Sequence, residues 1–181
     1  MSESNNTNLN ILMDTTIYKE YDFRGWIYSF YNSHLYIGAI LLILNLIERR
    51  VLEIMLLMDL QIYKNQIKST ADVNTDPVGN FKENENLTLG LLIRKLETGF
   101  CFEGKSDLIK QLKGVNKIRV DYIHNLVENP RSVQMGNRKS NKDYKILNKI
   151  LDNLGSYVNK INNGWIGKNG KLLKTKLLSL R

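Results

Sequence analysis

Cysteine is nearly missing from this chain: Cys101 is the single one in 181 residues. One thiol closes no disulfide within a chain, and with His34 and His124 as the only histidines it makes no zinc site. The expectation is a reducing, cytoplasmic setting, no bound metal and no cofactor, with Cys101 a small buried hydrophobe. Proline is scarce too, at Pro77 and Pro130 only, which is too few turn formers for an all-β sandwich. Met1 to Asn10 is polar and lacks the basic start and apolar run of a secretory signal peptide. Long hydrophobic runs are also wanting. Gly25 to Ile47 carries no charge, but Ser29, Asn32, Ser33, His34 and Asn45 interrupt it and its densely apolar part is only Leu35 to Leu44. That is short for a bilayer span and reads as a buried helix, so no membrane partner is expected. A membrane-associated helical protein built on Gly25–Ile47 is the competing reading.

What is present is enough for a core. Hydrophobic residues make up 43% of the chain, so one folded domain with tails is expected. Charge is uneven. Residues 1–90 hold 7 basic and 11 acidic side chains, net −4, and residues 91–181 hold 19 and 7, net +12, which together give the chain's +8. A basic C-terminal half suits a polyanion partner, and equally a solvated lysine-rich surface.

The periodicity predicts an all-α fold. Residues 1–32 read as an N-terminal segment whose aromatic stretch (Trp26, Ile27, Tyr28, Phe30, Tyr31) suits core or dimer contact. A long helix is expected over Ser33–Lys68, with a polar strip through Glu48, Glu53 and Asp59. Ser69–Asn86, with Pro, Gly, Asn and Asp but no period, reads as a loop. Further helices are expected from about Thr88 through Leu96, over Ser106–Leu112 with Ser106 as N-cap, and over Val115–Glu128, stopping before Pro130. Asn129–Lys139 reads as a basic loop. A fifth helix is capped by Ser140, carries Tyr144, Leu147, Leu151, Leu154 and Val158 on one face, and ends at Asn162–Gly164. The helical domain thus spans residues 33–164, and 165–181 is a basic tail.

The Val115–Glu128 helix breaks its own pattern. At about 100° per residue, Val115, Ile118, Tyr122, Ile123 and Leu126 share an apolar arc, and Lys117, Asp121, His124 and Glu128 the opposite one. Arg119 falls inside the apolar arc. A guanidinium there needs an anion or acceptor, either a carboxylate of another helix or a phosphate. Arginine suits phosphate because it stays charged and donates two parallel hydrogen bonds. His124 lies five residues on, about 140° round the helix, so the two converge only where Arg119 reaches round or where a second copy of the helix supplies the partner, which favours a site on a twofold axis.

Arg119, four residues, then His124 resembles the motif of the HEPN superfamily, an arginine, four to six residues and a histidine. The segments LTLGLLIRKL (Leu87–Leu96) and SDLIKQLKGVNKIRVDYIHNLVEN are also similar to bacterial members. The resemblance implies a HEPN-like bundle of four core helices plus a C-terminal helix, paired as a homodimer with the two motifs facing. It implies metal-independent endoribonuclease action by 2′-OH transesterification, in a toxin–antitoxin, abortive-infection or related defence system, with a cognate antitoxin or regulatory protein as a further partner. Arg119 and His124 would be catalytic, with Asp121 orienting the imidazole. Lys117, Arg131, Arg138 and Lys139 would bind RNA. One position departs: active members usually carry a polar residue after the arginine, and here it is Val120. A catalytically inactive module for RNA binding or protein assembly is the alternative.

Overall fold

A computed structural model describes residues 23–68, 76–102, 104–128, 137–166 and 178–179. Helix α1 covers residues 23–32, α2 Tyr36–Lys68, α3 Pro77–Asn84, α4 Leu89–Gly99, α5 Lys105–Glu128 and α6 Asn137–Ile166. The all-α expectation holds for the described residues, with one addition. Phe100–Cys101 (β1) pairs antiparallel with Leu178–Ser179 (β2), Phe100 opposite Ser179, so a short piece of the basic tail is tied to the helical unit. The rest of the tail beyond Ile166 lies outside the described residues.

Helix α2 is the axis of the molecule. Ile40, Ile43, Ile47, Val51, Ile54 and Met58 recur at intervals of three and four and are buried almost completely, the spacing that keeps one helical face inward. Its most extensive partner is α6, which supplies Leu147, Leu151 and Leu154 to the same core. Helices α3, α4 and α5 complete the packing round α2. Each fully buried aliphatic side chain contributes about 1.5–3 kcal/mol.

Helix α1 joins this core through Ile27, with Phe23 and Tyr31 half-buried against it, while Trp26 and Tyr28 are exposed. Tyr31 stacks on Tyr144 of α6 at 4.1 Å between ring centroids. The chain leaves α1 through a left-handed residue, His34 (φ 58°), with the Leu35 N–H donating to the Phe30 carbonyl and the His34 N–H to the Tyr31 carbonyl. That closes the helix end in the usual double-bonded way, although glycine normally holds this position. The break divides the uncharged run Gly25–Ile47 between two helices. No described helix is long and apolar enough to cross a membrane.

Four expectations need correction. The loop Ser69–Asn86 contains α3, because Asp76 caps it, its Oδ1 accepting from the Gly79 N–H at 3.0 Å, and Pro77 sits in the first turn. A proline just inside a capped start begins a helix instead of breaking one. The two helices expected over 106–112 and 115–128 are one, since Gly114 is carried through α5. Ser140 is no cap, because α6 starts at Asn137, so Arg138 and Lys139 belong to its first turn and not to a loop. Finally, α6 runs through Asn162–Gly164 to Ile166.

Candidate functional site

Helix α5 presents the sequence motif along its C-terminal half. Its inner face is set by Leu108, Leu112, Val115 and Tyr122, all buried. Arg119 sits at the edge of that face with 24% of its side chain exposed, and its Nη2 lies 3.9 Å from Glu48 Oε1 of α2, itself 24% exposed. At that distance the two groups compensate charge without a hydrogen bond between them. The carboxylate that meets the guanidinium is the partner the apolar arc demanded. Glu48 passed in the sequence as one member of a polar strip. Its signal was position, because it opens the charged triplet Glu48-Arg49-Arg50 in the middle of an otherwise apolar helix.

His124 is exposed on the opposite side of α5, and the chain by itself does not bring it onto one face with Arg119. The sector between them is occupied by Ile123 and Val120, 41% and 40% exposed. The exposure of Ile123 departs from its expected place in the core. The cause is the reach of α4, whose first turn meets α5 at Asn116, 3.4 Å from where a Cβ on Gly90 would lie. Beyond that crossing, no described helix buries this side of α5.

The inner side is fastened to α6. The Tyr122 hydroxyl lies 3.1 Å from both Ser140 Oγ and Asp143 Oδ2, and all three residues are buried. Burial, with the Asp143 carboxylate adding to it against the Ser140 hydrogen bond, pushes the phenol up to about 12. It therefore stays protonated and donates. Lys139 stands over the Tyr122 ring, its Nζ 5.8 Å from the centroid and 4.0 Å from Asp121 Oδ2. Asp121 thus answers a lysine of α6. Tyr122 and Asp143, which hold the motif helix in place, were missed because the hydroxyl's partners are distant in sequence. Lys117 is exposed on α5. Arg131 lies outside the described residues, as does the side chain of Arg138.

A second polar cluster joins α2, α3 and α4. Buried Asp59 accepts from Asn80 Nδ2 at 3.2 Å, and buried Asn84 accepts from Lys95 Nζ at 2.8 Å. Burial raises the Asp59 carboxyl from the ordinary 3.8 to about 6, against the opposing pull of the Asn80 hydrogen bond and the Lys95 charge. Among the described residues no group of three or more His, Cys, Asp or Glu side chains is placed to hold a metal ion. No family model, curated protein or solved structure matches this chain.

Proposed function

We propose that this chain is a metal-independent endoribonuclease of the HEPN type, acting as a twofold dimer in a toxin–antitoxin, abortive-infection or related defence system. The observation that carries the reading is on α5: a half-buried arginine and an exposed histidine separated by an exposed apolar sector, Val120 and Ile123. An exposed apolar sector between these two side chains suits burial against a second copy of itself. Docking there brings Arg119 of one protomer and His124 of its partner toward a shared phosphate. Arg119 lies 3.9 Å from Glu48 Oε1 with no hydrogen bond to it, and in catalysis its guanidinium would exchange that carboxylate for the phosphate and stabilise the developing negative charge.

In this reaction the ribose 2′-OH gives up its proton and its oxygen attacks the adjacent phosphorus. The P–O5′ bond breaks, the 5′-oxygen leaves with a proton, and a 2′,3′-cyclic phosphate remains. Imidazole is the side chain whose reference pKa best suits both proton movements near neutrality. Arg119 balances the charge spread over the phosphorane oxygens. DNA has no 2′-OH and is spared.

Cleavage of RNA in EDTA by the wild type, Arg119→Ala and His124→Ala tests this. The expected result is cyclic-phosphate product from the wild type and a loss of 100-fold or more in either variant, the scale of removing a general acid–base group or a charge stabiliser. Cleavage at the wild-type rate by both variants overturns it. One observation favours the second reading, a non-catalytic HEPN module for RNA binding or assembly: Val120 puts an exposed aliphatic where a polar neighbour of Arg119 would help position substrate. That reading expects a dimer that binds RNA and leaves it whole.

A further inference from the structure

The outer face of α5 bears a feature that the Arg119–His124 pair does not use. Lys110, Lys113, Lys117 and His124 are all exposed and fall within an arc of about 60° on the helix wheel. The row rises about 21 Å from Lys110 to His124, with a cation at nearly every turn up to Lys117. Beside its lower half, α4 and α5 form a shallow groove, lined by Gly90, Ile93, Arg94, Glu97, Lys113 and Asn116. Arg94 is exposed on the far wall, and Glu97 accepts from Lys113 Nζ at 2.8 Å across the floor. On α5 itself Asp107 and Asp121 stand about 90° and 50° off the centre of the row and border it, while Glu97 of α4 reaches in to pair with Lys113, a contact that a bound phosphate would replace.

We infer that Lys110, Lys113 and Lys117, with Arg94 across the groove, form a track for the phosphate backbone of single-stranded RNA, leading it to His124. The inference rests on the ribonuclease reading for its direction, while its binding component stands separately. A linear row with about one cation per 5.4 Å helical turn suits an extended polyanion better than a compact ligand. The track contains no base-reading arrangement, so it predicts retention without sequence preference. It adds binding energy away from the scissile bond, which serves long substrates and not dinucleotides.

The test compares Lys110→Gln/Lys113→Gln/Lys117→Gln with a matched control, Lys142→Gln/Lys145→Gln/Lys149→Gln. The control lysines form an equally spaced exposed row on α6 on which no histidine stands. Both triples remove the same charge from exposed helical sites, and circular dichroism melts verify that each folds. The binding probe is a fluorescein-labelled 2′-O-methyluridine 12-mer, which has no free 2′-OH to attack phosphorus and stays whole, followed by anisotropy from 50 to 300 mM salt. The track variant should bind at least about tenfold more weakly at 100 mM salt, with the log–log salt slope reduced by about 2, at ~0.7 per lost single-strand phosphate contact. The α6 control should keep most of the wild-type slope. An unchanged slope in the track variant, or an equal loss in both triples, overturns the track. Cleavage separates the two claims: the track variant should lose far more kcat/KM on an unmodified uridine 12-mer than on a dinucleoside monophosphate. If the wild type cleaves neither substrate the nuclease reading fails, and the anisotropy series alone decides the track.

Discussion

At neutral pH the Asp59 carboxylate is charged inside the α2–α3–α4 junction, with Asn80 and the Lys95 cation offsetting only part of its lost hydration. Its folded pKa of about 6 lies above the ordinary 3.8, so the folded state holds the proton more tightly than the unfolded chain. This contribution to stability is fully present below about pH 4, is lost as pH rises through 6, and is flat above that. Asp59→Asn removes the titration and keeps an acceptor for Asn80. In urea titrations at pH 4, 5, 6 and 7 the variant should exceed the wild type by about 1–2 kcal/mol at pH 7, a figure discounted for partial solvation, and the gap should close toward pH 4. A gap that does not vary with pH would show that the carboxylate is not the cause. Arg119 is the contrasting case. Its place in the apolar arc was plain from spacing alone, yet the answering Glu48 lies 71 positions earlier, and pairing at that separation is written in no local pattern.

Among the elements, α5 shows how a weak helix former is carried by its surroundings. Gly114 is exposed in mid-helix, and a Cβ added there meets nothing within 4 Å. Gly114→Ala should therefore raise unfolding free energy by about 1 kcal/mol, the usual helix-interior cost of glycine, seen as a higher urea midpoint with unchanged slope. The same glycine separates the two expected helices where one exists: local propensity dips at Gly114, and burial of Leu108, Leu112 and Val115 along one continuous stripe overrides it. The joint between α5 and α6 depends on Tyr122. Tyr122→Phe keeps the ring and removes the hydroxyl from between Ser140 and Asp143. The expected cost is about 1–3 kcal/mol for leaving a buried partner of the hydroxyl unmet, with faster amide exchange in the first turns of α6. Exchange unchanged at residues 140–147 would place the α5–α6 joint elsewhere.

For the molecule as a whole, the exposed Val120–Ile123 sector sets the expectation about assembly. Ile123→Asp puts a charge on a site that is 41% exposed in the single chain, so the monomer should melt within a few degrees of wild type, as surface changes usually do. On the proposed reading, sedimentation should show the wild type as a dimer, the variant should dissociate, and RNA cleavage should fall with it. A variant that stays dimeric and active would move the interface off this sector. Charge is likewise a whole-molecule property. The +12 of residues 91–181 suited a polyanion or a solvated surface alike, and the packing of α4 along α5 is what sets Arg94 and Lys113 beside one groove and Lys110 and Lys113 beside the next.

Periodicity alone determined the helical class, the long apolar α2, the start of α4 and the irregular position of Arg119, because each depends on residues within a few turns of one another. Helix ends were less legible. Asp76-Pro77 reads locally as a break yet starts a helix, and Ser140 looks like a cap until Tyr122 arrives from α5 to use its hydroxyl. Only the tertiary structure decided that Glu48 meets Arg119, that Asp59 is buried beside Asn80, and that Val120 and Ile123 lie beyond the reach of α4. These depend on how far one helix extends along another, and that is set by the summed burial of the whole core and not by any segment of it.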